Sequence, residues 1–132
     1  MFSTKQANPK LLSPLTLAFI GDAVYELLVR ERIVQEGNMP VNAMHNKTVA
    51  KVKASAQSEV FEKLLPYLSE EETAILKRGR NAHSNTSPKH AELSDYRRAT
   101  GVEALYGYLY LKGEKQRIEE IFSITYNQLS VD

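Results

Sequence analysis

The segment Leu15–Arg30, LTLAFIGDAVYELLVR, is apolar over most of its length, yet Asp22 stands in its middle between Gly21 and Ala23. Burying a carboxylate there without a partner costs on the order of several kcal/mol. The same pattern recurs in Ala99–Leu111, ATGVEALYGYLYL, where Glu103 interrupts a second apolar run. At helical spacing Asp22 shares a face with Ala18, Phe19, Tyr25, Glu26 and Val29. Glu103 shares one with Ala99, Thr100, Tyr106, Gly107 and Tyr110. Small residues, Ala18 and Gly21 on one helix and Gly101 and Gly107 on the other, permit close approach. If the helices cross at the glycines, Asp22 and Glu103 face one another. Two carboxylates so placed repel unless a proton or a cation intervenes. Oxygen ligands in a chain without cysteine favour a hard ion, Mg²⁺ or Mn²⁺. Such an ion polarises a phosphate and activates water for phosphodiester hydrolysis. The competing expectation is that each acid is solvated or neutralised by a nearby lysine or arginine.

The punctuation along the chain predicts an all-α fold, a helical bundle in one domain over residues 1–132. Ser13-Pro14 offers an N-cap and a proline in the first turn, for a helix running to about Glu36 before Gly37. A helical region follows from about Val41 to Leu65, ended by Pro66. Ser69-Glu70-Glu71-Glu72 reads as a capping box for a helix reaching Arg78, with Gly79 as its stop. A polar, turn-rich loop spans Arg80–Pro88. The next helix starts near His90 or Ser94 and ends at Leu111, before Lys112-Gly113. The last covers about Lys115 to Leu129, with Ile118, Ile121, Phe122 and Thr125 on one face. No segment alternates as a strand does. The tyrosines of the second apolar run read as core, and Glu26 is placed to pair with Arg30.

The formal net charge of +1 conceals a local excess. Lys77, Arg78, Arg80, Lys89, Arg97 and Arg98 fall in one window with His83, opposed there only by Glu92 and Asp95. Clustered around an exposed loop, these cations form a candidate nucleic-acid surface. His45, His83 and His90 are too scattered for a zinc site. The absence of cysteine excludes a disulfide framework and fits a reducing cytoplasm. No apolar run approaches the ~20 residues that span a bilayer, and the polar N-terminus lacks the apolar stretch of a signal peptide.

Phe19-Ile20-Gly21-Asp22-Ala23-Val24 resembles the FLGDAV core of the ribonuclease III family motif. Ala99–Leu111 resembles that family's second acidic segment. The spacing between the two, with Thr48–Gln57 between them, is most similar to the Mini-ribonuclease III branch. Residue by residue, Asp22 matches the family's catalytic aspartate and Glu103 its essential glutamate, both Mg²⁺ ligands there. Some family acids are absent. Leu15 and Ala18 stand where full-length enzymes carry glutamates, and Thr100 where they carry an aspartate. The acid of the middle region is also missing, with Asn46 near its place.

The resemblance implies a ribonuclease III-like endonuclease domain acting as a homodimer on double-stranded RNA with Mg²⁺. Its implied substrate is a stem in precursor large-subunit (23S) ribosomal RNA, cut to leave 5′-phosphate and 3′-hydroxyl ends. A ribosomal protein is a conceivable further partner. With the sequence ending at Asp132, soon after the last helix, the appended RNA-binding domain of full-length relatives is expected to be missing. RNA contact is therefore expected from the window Lys77, Arg78, Arg80, His83, Lys89, Arg97 and Arg98. The helix around Phe19 and Tyr25 is expected to build the dimer. Two rivals stand beside this reading. One is a catalytically weak or inactive dimer that binds structured RNA; the other is a helical interaction protein with salt-bridged acids.

Overall fold

A computed structural model describes residues 8–82 and 92–127. In it one helix, Leu93–Leu111, forms the axis on which most of the other helices pack. From Ala99 to Leu109 every residue of that helix except Glu103 is buried. A helix apolar on all sides needs neighbours on all sides. In chain order the helices are α1 (Pro14–Val34), α2 (Val41–Val52), α3 (Ala54–Leu64), α4 (Glu70–Asn81), α5 (Leu93–Leu111) and α6 (Lys115–Tyr126). Helices α1, α3, α4 and α6 all pack on α5. No strand occurs among the described residues, as the all-α reading requires.

Local chemistry sets the boundaries. Ser13 Oγ accepts from the Thr16 amide at 3.1 Å, and Pro14 opens α1. Gly37 and Gly113, with φ of 105° and 83°, make the turns after α1 and α5. The capping box is present: Ser69 Oγ accepts from the Glu72 amide, and Glu72 returns the bond to the Ser69 amide. Glu72 also takes a two-pronged ion pair from Arg117, with Nε and a terminal nitrogen each 2.8 Å from one carboxylate oxygen. Arg117 donates further to the Tyr67 carbonyl at 2.8 Å, joining α6 to the turn that precedes α4. These hydrogen bonds, with the arginine charge, hold the Glu72 carboxyl below its ordinary range despite its burial.

Two expectations about the helices are corrected. The region from Val41 to Leu65 is not continuous: Lys53 adopts an extended ψ of 157°, ending α2 and opening α3. Gly79 does not stop α4, which continues to Asn81. Gly79 is buried against α5, where an added Cβ would lie 2.8 Å from both the Gly101 Cα and the Ala104 Cβ. The glycine serves helix packing there. The last helix is described to Tyr126, and its expected end at Leu129 lies outside the described residues.

The core is sealed by aromatic edges. Tyr25 packs edge-on against Tyr106 and Phe122, with ring centroids 5.0 and 5.6 Å apart. Tyr25 is 1% exposed, so it belongs to the core and not to the outer face of α1 expected for a dimer contact. Tyr106 and Tyr108 are buried as expected.

Candidate active site

The two acids meet where α1 crosses α5. The crossing is a backbone contact: a Cβ added to Gly21 would lie 1.6 Å from the Glu103 carbonyl oxygen, and one added to Gly107 would lie 1.9 Å from that of Leu17. This approach brings the side chains of Asp22 and Glu103 within hydrogen-bonding reach of each other. The crossing at glycines read from the sequence is the one observed.

Their environments differ. Glu103 is half-buried. Asp22 is exposed, which corrects its reading as an inward acid. The core stripe of α1 runs through Leu17, Gly21, Tyr25, Val29 and Ile33. Asp22 sits one position, about 100°, from that stripe and so lies at the rim. Burial first, and the Asp22 carboxylate second, push the Glu103 carboxyl up to about 8.

A third side chain, which sequence reasoning passed over, completes the group. Gln57 on α3 is 2% exposed, and its Nε2 donates to Glu103 Oε2 at 3.3 Å. The same nitrogen donates to the Val52 carbonyl at 2.8 Å. Gln57 Oε1 is buried without a hydrogen-bond partner. The signal was available: Gln57 shares a helix face with Val60, Phe61 and Leu64, all buried, so it too is a polar residue on an apolar stripe.

Among the described residues no lysine or arginine forms an ion pair with Asp22 or Glu103. Glu26 pairs with Arg30 at 2.9 Å, as its spacing suggested. The described residues contain no cluster of three or more His, Cys, Asp or Glu able to hold a metal. The donor set is two carboxylates, one of them accepting a hydrogen bond from the Gln57 side-chain amide. That chemistry fits a hard divalent ion retaining much of its own water. The positions lacking family acids contribute nothing more: Ala18 is buried, Leu15 and Asn46 are exposed, and the Thr100 hydroxyl donates to the Tyr96 carbonyl of its own helix.

Comparison with known proteins adds to this geometry. The ribonuclease III domain family matches residues 15–114, a span that includes both acids and Gln57. The chain belongs to the ribonuclease III family. Its relatives include the Mini-ribonuclease 3 of Thermoanaerobacter sp. (strain X514), 55% identical over 86% of this chain and 80% of that protein. Another is the Mini-ribonuclease 3 of Clostridium tetani, 50% identical over 94% of this chain and 82% of that protein. A crystal structure of a protein from Fusobacterium nucleatum superimposes with a TM-score of 0.83 at 32% identity, over 93% of this chain and 98% of the other. As a member of the ribonuclease III family the chain is an endoribonuclease. The family acts on double-stranded RNA, depends in general on divalent metal and typically dimerises.

The basic window is only partly gathered. Arg80, Arg97 and Arg98 line one hollow with Asn81, Leu93 and Ser94, at the facing ends of α4 and α5. Lys77 and Arg78 are exposed on α4. Two of the arginines also have structural partners: Arg80 lies over the Phe61 ring at 5.6 Å, and Arg98 pairs with Glu62 and Asp95. His83 and Lys89 lie outside the described residues.

Proposed function

We propose that this ribonuclease III family enzyme is Mg²⁺-dependent and cleaves double-stranded RNA, with Mn²⁺ able to substitute, through Asp22 and Glu103. The observation that carries the proposal is the meeting of these carboxyls across a glycine-to-glycine crossing, with no lysine or arginine among the described residues ion-paired with either. A divalent ion held there supplies polarisation of the scissile phosphate and activation of water. The chain's own contribution is placement. Gly21 and Gly107 set the helix separation, while Asp22 and Glu103 present oxygen ligands from opposite helices. Lys77, Arg78, Arg80, His83, Lys89, Arg97 and Arg98 would hold the duplex through its phosphates, consistent with shape-based reading of double-stranded RNA. The products carry 5′-phosphate and 3′-hydroxyl ends. The substrate proposed is a stem in precursor 23S ribosomal RNA, processed in the cytoplasm, where a ribosomal protein is a candidate helper.

A homodimer through α1 completes the reading. Phe19 is 84% exposed and Leu15 and Leu27 are 40% and 47% exposed, all on that helix. Beside them lies an apolar hollow of about 300 Å³ lined by Ile20, Ala23, Val24, Leu28 and Tyr110. An exposed aromatic next to an apolar hollow suits a self-complementary two-fold contact, which would supply two acid pairs to one duplex. No helix among the described residues is long and apolar enough to cross a membrane. The test is incubation of the purified protein with a precursor 23S stem. Cleavage with Mg²⁺, and none with a chelator, is the expected result; equal cleavage in both would refute metal dependence.

A further inference from the structure

We infer that Gln57 is a positioning residue that fixes the Glu103 carboxylate toward Asp22 and so preorganises the cation site; the inference rests on the metal reading above. Its amide has one available orientation. Nε2 faces two acceptors, the Val52 carbonyl at 2.8 Å and Glu103 Oε2 at 3.3 Å. Rotating the amide by half a turn would set Oε1 against both, oxygen on oxygen. The anchor is backbone. Val52 is the last residue of α2, where carbonyls lack partners within the helix. The Gln57 backbone N–H donates to the Lys53 carbonyl at 3.1 Å, fixing the start of α3. The break at Lys53 thus aims a buried, neutral donor at the acid on α5.

Neutrality matters. A lysine or arginine in this place would stabilise the ionised carboxylate but compete electrostatically with an incoming divalent ion. A glutamine favours the ionised form by hydrogen bonding and adds no charge. Its Oε1, on the far side of the amide from these two bonds, is buried without a hydrogen-bond partner. A glutamine serving only to tie α3 to α2 has no need of a bond to Glu103.

Gln57→Leu and Gln57→Met keep the bulk and remove the donor. Each should weaken Mn²⁺ binding to the RNA-free protein, followed by calorimetry, by roughly tenfold or more. The Mg²⁺ midpoint for cleavage should rise in parallel, with the maximal rate largely recovered at saturating Mg²⁺. Duplex affinity in chelator should stay at the wild-type value. A folded variant with wild-type Mn²⁺ affinity and Mg²⁺ midpoint would overturn the inference. Asp22→Asn and Glu103→Gln serve as references. If they lose Mn²⁺ and the Gln57 variants do not, this inference alone fails; if they retain it, the metal reading fails first. Should neither Gln57 variant fold, the unmutated protein still decides. Mg²⁺ should shift the Gln57 side-chain amide resonances, and a resonance unmoved at saturating Mg²⁺ would overturn the inference.

Discussion

Gly21 lies so close to Glu103 that a Cβ on the glycine would fall 1.6 Å from the glutamate's carbonyl oxygen. The separation of the acids and the packing of α1 on α5 are therefore one property. Gly21→Ala is expected to force the helices apart, costing about 3 kcal/mol in stability. It should also lower cleavage in the fraction that stays folded. Urea unfolding alongside a single-turnover assay checks both; an unchanged unfolding midpoint would mean that the crossing relaxes freely.

The Glu72–Arg117 pair gives a stability prediction away from the acids. The folded protein holds the Glu72 carboxyl below its unfolded value near 4.5. The pair's contribution is therefore fully present above about pH 4.5 and is lost as pH falls through the depressed native range. Glu72→Gln is expected to cost about 2 kcal/mol at pH 7, the scale of hydrogen bonds to a charged group. The difference from wild type should shrink at pH 3. Urea midpoints at the two pH values test this, and a difference that grows in acid would reverse the assignment.

How much of this was legible beforehand depended on which residues broke a pattern. Asp22 and Glu103 stood out as acids on apolar helical faces, and Gly21 and Gly107 supplied the reason for the crossing. Gln57 broke the same kind of pattern on α3 but carries no charge, and it was passed over. Gly79 was misread because an isolated glycine signals a helix end as readily as a close helix contact. The break at Lys53 has no glycine or proline to announce it; it is supported by the side-chain bond from Gln57 to the Val52 carbonyl. Tyr25 was assigned to the wrong face because α1 is apolar on both sides. Buried Leu17, Tyr25 and Val29 oppose exposed Leu15, Phe19 and Leu27, and only the fold distinguishes them.

That second apolar face leads to a prediction about assembly. Phe19→Asp should weaken self-association by at least about 30-fold, the effect of losing an aromatic anchor worth about 2 kcal/mol. Sedimentation at micromolar concentration should show a dimer for the wild type and a monomer for the variant, with helicity unchanged. A monomeric wild type would dismiss the α1 dimer.

Duplex binding should respond unevenly within the basic window. Replacing Lys77, Arg78 and Arg80 with alanine is expected to reduce affinity and flatten the salt dependence by roughly one unit per lost phosphate contact. Arg80→Ala alone should also lower stability, because its guanidinium covers Phe61. Filter binding across a salt series separates the effects. An unchanged slope in the triple variant would move RNA contact elsewhere, with Lys47, Lys51 and Lys53 as the next surface.

The most direct test of the central claim is single-turnover cleavage of a long RNA duplex by Asp22→Asn and Glu103→Gln at saturating Mg²⁺. Each substitution preserves side-chain volume and removes one charge from the facing pair. The expected result is a rate lowered by about 1,000-fold in both, equivalent to about 4 kcal/mol in the barrier, with the fold intact by circular dichroism. Cleavage by either folded variant at more than about a tenth of the wild-type rate would contradict a shared metal site, because that loss is under about 1.4 kcal/mol.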